Sequence, residues 1–455
     1  MRSLKSSLDL IGNTPMMEAR NLDTGKCRLF LKLENQNPGG SIKDRVALSM
    51  IEAAERQGKI SKGGTLIEAT AGNTGLGLAL VAAAKGYRLI LVIPDKMSQE
   101  KIFNLKAMGA EIRMTRSDVG KGHPEYYQDI AARLAGEIPN SFYINQFSNP
   151  ANPLAHETGT APEIWQQMGH DMDAMVAGVG SGGTVSGLAN FFKRAAPHVE
   201  MVLADPKGSI LKEYIETGKL GQPGSWMVEG IGEDFIPDIC DLSSIKKAYT
   251  ITDEESFSTA RELLKKEGIL AGSSSGTLIA AALKYCREQK EVKKVITFVC
   301  DSGNKYLSKM FNDYWMLDQG FIKREEKGDL RDLVSRPYDA RGTVTVKEDD
   351  LLLMAYSRMK LYDVSQLPVM NGEKLVGIID ESDLLLAAMK EKGAFQKPVK
   401  SAMASNLETV SPDKPVESLL PIFERGLVAI VEHQGKFYGL ITRIDLLNHL
   451  RRKMR

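Results

Sequence analysis

A surplus of charge of either sign is missing from this 455-residue chain, in which 59 lysines and arginines stand against 58 aspartates and glutamates. Without a one-signed field there is nothing to recruit nucleic acid or an anionic membrane, so a small-molecule enzyme or sensor is expected. Cysteine is scarce as well. Cys27, Cys240, Cys286 and Cys300 share no CxxC spacing, which argues against a disulfide framework or a metal site and points to a reducing compartment. Long apolar runs are also missing. No stretch reaches the roughly 18 apolar residues of a membrane span, and the first ten residues mix charge with serine and lack the apolar core of a signal peptide. The expected location is the cytoplasm. A chain of this length is expected to form two or three domains of about 100–200 residues each.

Glycine is plentiful and clustered. Pro38-Gly39-Gly40-Ser41-Ile42-Lys43-Asp44-Arg45 joins a free turn to a lysine that starts an apolar-periodic helix reaching about Gln57. A lysine amine forms a Schiff base with an aldehyde if its surroundings hold it in the reactive state. Taken alone, Lys43 reads as a solvated lysine after a turn, and only the glycine-rich loops downstream reverse that reading. Strand, loop and helix then alternate. A strand from Thr65 to Ala69 ends in Thr70-Ala71-Gly72-Asn73-Thr74-Gly75 ahead of a helix over 76–85. The apolar run from Tyr87 to Ile93 is closed by Pro94, with a helix near 98–108. This order predicts an α/β fold with a largely parallel sheet covered on both faces.

A further strand, Asp173 to Ala177, delivers Gly178-Val179-Gly180-Ser181-Gly182-Gly183-Thr184 to a helix reaching about Ala195. As letters this is GxGxxG, and Asp205 follows Gly183 by 22 residues, so a dinucleotide fingerprint competes here with a narrower reading. The unit lies mid-chain, with no companion residues for hydride transfer. Glycine amides plus Thr184 at a helix N-terminus suit a single phosphate, and a purely structural glycine turn stays open. Val228 to Gly232 and Ala271 to Gly276 add two more small-residue loops; by itself, Ser274 in the second would be a helix N-cap.

The alternation ends near Tyr314 to Leu317, and the charged run Lys323 to Asp329 suits a linker. Beyond it the segment from Lys374 to Leu385 recurs 62 positions later, from Lys436 to Leu447, and Val369 and Val431 keep the same offset. This is a duplicated β-turn-β-α unit. Each copy is too small to bury a good core alone, so the two should pack as a pair.

A lysine, an asparagine loop, a phosphate loop and a serine loop can together hold pyridoxal 5′-phosphate, whose imine, ring oxygen, phosphate and ring nitrogen each need one partner. Over roughly residues 8–321 these loops resemble the β family of fold-type II pyridoxal-phosphate enzymes, of tryptophan synthase β-like fold. The tail resembles a tandem CBS-domain (Bateman) module. That order of parts resembles the cystathionine β-synthase family more than the cysteine synthases, which normally lack the tail. The division implied is a catalytic domain over 1–320, a linker over 321–335 and CBS domains over 336–395 and 396–455.

The resemblance implies that Lys43 is the Schiff-base lysine and the base that takes the substrate α-proton. It sets Asn73 at the ring 3′-oxygen, Gly180, Ser181, Gly182, Gly183 and Thr184 at the phosphate, and Ser274 at the ring nitrogen. A neutral serine there suits β-elimination. Thr70, Ala71, Gly72, Asn73 and Thr74, with Gln146 opposite, would hold the substrate carboxylate. Two positions depart from the pattern: Ala71 stands where serine is commoner, and Glu233 where animal enzymes have tyrosine, close to the approach of the second substrate. The reaction implied condenses L-serine with L-homocysteine to L-cystathionine. O-acetylserine as first substrate and sulfide as thiol are the rivals, and an inactive adenosyl-ligand sensor is the rival of another class. The resemblance further implies a homodimer or a higher homo-oligomer. Animal members bind haem through a Cys and a His in an N-terminal extension. About ten residues precede Ile11-Gly12-Asn13-Thr14-Pro15 here and no cysteine precedes Cys27, so no haem is expected. In the tail, Thr442 and Asp445 would offer a hydroxyl and a carboxylate to the ribose of S-adenosylmethionine or an adenine nucleotide. The first repeat keeps Asp383 but has Asp380 in place of the hydroxyl, so at most one good site is expected. The alternative is that Thr442 and Asp445 simply cap the last helix.

Overall fold

The computed structural model describes residues 4–70, 72–95, 99–119 and 122–453, and the chain divides into two compact units, Met1–Phe311 and Asn312–Arg455. Ala71 lies outside the described residues.

The alternation of strand and helix in the first unit builds two sheets where the sequence reading expects one. Six strands lie in the order Met16–Ala19, Arg28–Leu33, Lys294–Val299, Ala174–Ala177, Glu200–Pro206 and Ile245–Ile251. Four more lie in the order Glu111–Thr115, Arg88–Pro94, Thr65–Glu68 and Ser141–Tyr143. Every pairing is parallel except that of Met16–Ala19 with Arg28–Leu33. The second sheet is separate because the strands from Thr65 to Tyr143 pair only with one another. Central strands are buried end to end, as in Ala174–Ala177 and in Arg88–Pro94 after Arg88. That is why they read as unbroken apolar runs with no alternation.

Helices cover the sheets, and their starts sit at the carboxyl ends of strands. The helix Lys43–Arg56 packs against Asn73–Lys85 so closely that a Cβ on Gly77 would come within 2.8 Å of the Lys43 carbonyl oxygen. The helix Ser273–Arg287 is buried along almost its whole length, which fits its run of alanines and small residues.

The second unit carries the repeat. In the first copy the strands Gln366–Asn371 and Lys374–Asp380 form an antiparallel hairpin followed by the helix Glu381–Lys390; in the second copy these are Ala429–His433, Lys436–Ile441 and Arg443–Lys453. The duplication extends to a fault in the ladder, because the register shifts after Val369 in one hairpin and after Val431 in the other. The copies pack as a pair through Met370, Leu375, Ile430 and Phe437. Their lead-in segments are exchanged. Leu330, Leu333 and Val334, within the stretch expected to be linker, are buried in the core of the second copy, and Tyr338 donates its N–H to Tyr438. Ala404, which precedes the second copy, pairs instead with Ile378 of the first. Among the described residues no helix is long and apolar enough to cross a membrane.

Candidate active site

A cavity of about 250 Å³ opens where the carboxyl ends of both sheets of the first unit deliver their loops. This is the usual place for a ligand in a parallel sheet. Lys43, Thr70, Gly72, Asn73, Thr74, Gln146, Gly180, Ser181, Gly182, Thr184 and Ser274 line it. Five loops that are far apart in sequence therefore meet at one void. Gly183 stands just behind the wall as the first residue of the helix Gly183–Ala195, pressed so closely on the Asn152 amide that no Cβ would fit. Asn73 and Thr74 begin the helix Asn73–Lys85 rather than ending a loop, with Gly72 as its N-cap. The structure does not make Ser274 an N-cap. Gly272 occupies that position, and Ser274 is the second residue of its helix, buried against the cavity.

Lys43 follows a loop that is held from inside. The Gly39 N–H donates to Asp44 Oδ2 at 2.5 Å, and a Cβ on Gly39 would overlap that carboxylate. Burial raises the Asp44 carboxyl to about 7 against the pull of this hydrogen bond. Burial of Lys43 lowers the pKa of its amine, and Cys300, Glu233 and Asp301 oppose the shift only in part. Among the described residues, Lys43 is the one cation and Glu233 the one carboxylate on the cavity wall. Burial, together with Asp234, pushes the Glu233 carboxyl up to about 8.

The glycine loop before the helix Gly183–Ala195 is braced from behind. Asn152 donates to the Gln146 carbonyl (2.8 Å) and to Ser181 Oγ (2.9 Å), tying two segments of the cavity lining together. One turn further, His156 has Nδ1 at 2.9 Å from Thr160 Oγ1 and Nε2 at 3.2 Å from Thr184 Oγ1. Burial holds this imidazole neutral, far below its ordinary pKa. The backbone bearing it, His156–Thr160, is a single π-helical turn, a widening often found at functional sites. Thr74 Oγ1 donates to Gln146 Oε1 at 2.6 Å, and the Gln146 N–H donates to Glu68 Oε2 at 3.1 Å.

Asp205, the acidic residue that the dinucleotide fingerprint requires, is buried away from the cavity and accepts the Lys212 N–H at 2.9 Å. With that partner lost, the single-phosphate reading of the glycine loop is the one the geometry favours. The sequence reading passed over Asn152, His156, Cys300, Asp301 and Lys305. Asp301 and Lys305 had a signal, since they follow the strand Lys294–Val299 as the other loops follow theirs. Asn152 and His156 had none, because they lie inside helical turns and act through contacts between segments.

In the second unit Thr442 and Asp445 are bonded to each other. Thr442 Oγ1 and its N–H both donate to Asp445 Oδ2 (2.6 and 2.8 Å), and Ser335 Oγ donates to Asp445 Oδ1. Asp380 and Asp383 form the matching capping box in the first copy.

Comparison with known proteins adds names to this geometry. Residues 8–301 match the family model described as pyridoxal-phosphate dependent enzyme, and residues 330–390 and 399–452 each match the CBS domain. The chain is 38% identical to the cystathionine beta-synthase of Mus musculus over 98% of its own length and 85% of that protein's. It is 37% identical to a hydrogen sulfide-producing enzyme from Fusobacterium nucleatum of known structure, with a TM-score of 0.62 over 67% of this chain and 98% of that one. It is 40% identical to an O-acetylserine dependent cystathionine beta-synthase from Helicobacter pylori, with a TM-score of 0.62 over 68% of this chain and 99% of that one.

Proposed function

This chain belongs to the pyridoxal-phosphate-dependent enzymes and, within them, to the cystathionine β-synthase family, and from that premise we propose that it joins L-serine to L-homocysteine. The β C–O bond of serine breaks, a C–S bond to the thiol forms, and L-cystathionine and water are the products. The observation that carries this reading is one cavity lined both by a lysine amine whose pKa burial lowers and by a glycine-rich helix N-terminus. The first N–H groups of a helix have no partner within it and favour an anion, and the close fit of Gly180 against the Gly230 carbonyl and of Gly182 against Cys240 leaves room only for backbone there.

These residues fit pyridoxal phosphate. Lys43 would hold its aldehyde carbon, Gly180, Ser181, Gly182, Gly183 and Thr184 its phosphate, Asn73 its ring oxygen and Ser274 its ring nitrogen. When bound, the cofactor supplies an electron sink conjugated to the substrate Cα, which makes the α-proton acidic and lets the β-substituent leave. The chain's own residues do the rest. Burial keeps the Lys43 amine able to accept the α-proton and later return it. Thr70, Gly72, Asn73 and Thr74, at the N-terminus of a helix, receive the substrate carboxylate, with Gln146 fixed against Thr74; Ala71 belongs to the same loop in this reading. Glu233 faces the second substrate. Burial raises its carboxyl, and an arriving ammonium group of an amino-acid thiol, which sulfide lacks, would favour the ionised form and pair with it. This favours homocysteine over sulfide.

Operation without haem belongs to the same reading. Its support is that Cys27, the first cysteine, is buried and donates its thiol to the Cys286 carbonyl. We further assign the working enzyme to a cytoplasmic homodimer or higher homo-oligomer, and the CBS pair to an adenosyl or adenine-nucleotide ligand at Thr442 and Asp445. The deciding experiment is a steady-state comparison of serine with O-acetylserine, each with homocysteine and with sulfide. The reading expects serine with homocysteine to have the highest kcat/KM. A preparation that absorbs no visible light with cofactor added, or turns over none of the four pairs, overturns it.

A further inference from the structure

Asn73 reaches the cavity from the first turn of its helix, and the far side of its amide is held by two groups outside the cavity wall. Lys305 Nζ donates to Asn73 Oδ1 at 2.6 Å, and Asn73 Nδ2 donates to Asp301 Oδ2 at 2.8 Å. Asp301 is itself held by its neighbours. The Tyr306 hydroxyl donates to the same Oδ2 at 2.9 Å, the Asp301 backbone bridges to Ser41, and its other oxygen abuts Gly272 where no Cβ would fit. Lys305 sits on the 3-10 turn Gly303–Tyr306, so both partners of Asn73 come from one short segment after the strand Lys294–Val299.

A carboxamide is nearly symmetric in shape, so exchanging its oxygen and nitrogen costs little sterically. The two partners decide which end is which. An ammonium group has donors only and an ionised carboxylate has acceptors only. A flipped Asn73 would set N–H against the ammonium and oxygen against Asp301 Oδ2, which already accepts the Tyr306 hydroxyl; burial raises the Asp301 pKa, Lys305 and the two donors oppose that rise, and the flip trades two hydrogen bonds for two unfavourable contacts. With Oδ1 on Lys305 and one N–H on Asp301, the second N–H of Asn73 is left for the cavity. We propose that Lys305 and Asp301 form a lock that fixes the Asn73 amide with a donor toward the cofactor ring oxygen, which makes Lys305 a positioning residue of the reaction. The inference rests on the reading that Asn73 faces that oxygen. A locked donor stabilises the ionised oxygen, whereas a free amide presents its carbonyl part of the time and loses that preference.

The test reads the light absorption of the holoenzyme and not its turnover, because an ionised ring oxygen absorbs in the visible and a protonated one in the near ultraviolet. Lys305→Met should lower the ratio of visible to near-ultraviolet absorbance roughly tenfold, the weight of one charge-assisted hydrogen bond. Lys305→Arg should restore most of it. Asn73→Ala should lower the ratio at least as far, and adding Lys305→Met to Asn73→Ala should change nothing more. If Asn73→Ala keeps the original ratio, the reading of Asn73 is wrong and the lock fails with it. If Asn73→Ala shifts the ratio and Lys305→Met does not, the lock alone is overturned. Far-ultraviolet circular dichroism checks the fold. Should Lys305→Met not fold, Lys305→Gln replaces it, and an unshifted ratio in that variant overturns the lock equally.

Discussion

The catalytic cavity and the paired tail use the same polar residue types to opposite ends. In the cavity, Asn73, Thr184 and Ser181 each have a fixed partner behind them, in Lys305 with Asp301, in His156 and in Asn152, and each keeps bonding capacity facing a void. In the tail, Thr442 and Asp445 satisfy each other and the start of their own helix, as Asp380 and Asp383 do 62 positions earlier. Polar atoms held from behind and open in front are arranged for a ligand. Polar atoms that close on each other first stabilise the chain, and a ligand must compete with that bond.

Lys43→Ala should abolish turnover, a loss of at least the ~10²–10⁴-fold typical of a general base, while the protein still binds cofactor through the glycine loop. Activity assays and equilibrium dialysis against pyridoxal phosphate measure the two properties separately. Turnover near the original rate in this variant would remove the lysine from the chemistry.

The next effect sits behind the wall. His156→Leu should weaken cofactor binding about tenfold by freeing the Thr184 hydroxyl, and should cost about 1–3 kcal/mol of stability by leaving the buried Thr160 hydroxyl without its partner. His156→Gln, which can still bond to both hydroxyls, should recover much of the binding. Affinity unchanged in both variants would mean that Thr184 needs no brace, and the contrast between cavity and tail would lose its clearest case.

How far these features were legible in the sequence follows the same line. Lys43, Asn73, Thr184 and Ser274 could be found as cavity-lining residues because each stands where a glycine-rich stretch turns into a helix, a local pattern. The duplication could be found down to Val369 and Val431, where the bulges fall. His156, Asn152 and the Lys305–Asp301 pair could not, since their meaning lies in which segments the fold brings together. The two-sheet division and the exchanged lead-ins of the tail were hidden for that reason as well, because Leu330 and Val334 look like any apolar residues beside a charged run. Ser274 was misleading alone, as a serine beside a helix start, until Gly272 took the capping position.

A smaller effect concerns Glu233, whose carboxyl rises from an ordinary 4.5 to about 8 on folding. The folded protein holds that proton where the unfolded chain has released it, so the stability linked to this group is full below 4.5 and is lost as pH rises to about 8. Glu233→Gln removes this dependence. Thermal unfolding of the holoenzyme between these limits should show the variant gaining on the original as pH rises, and the variant should lose preference for homocysteine over sulfide. A parallel pair of stability curves would mean that Glu233 is ionised in the folded state.

The smallest effect tests the tail side of the contrast directly. If Asp445 is first a capping residue, Asp445→Ala should destabilise the second unit by about 0.5–2 kcal/mol, the usual cost of losing a cap, and Asp383→Ala should cost a similar amount. The two should part when S-adenosylmethionine, AMP or ATP is titrated by calorimetry. Thr442 brings a hydroxyl that can release Asp445 and turn outward, whereas Asp380 holds a second carboxylate against Asp383, and burial with that neighbour already raises the Asp383 pKa. A phosphate or ribose would therefore meet a neutral donor in the second copy and a negative charge in the first. Binding lost in Asp445→Ala and kept in Asp383→Ala would place the ligand in the second copy, released from its cap. Equal destabilisation with binding intact in both would make these residues caps only.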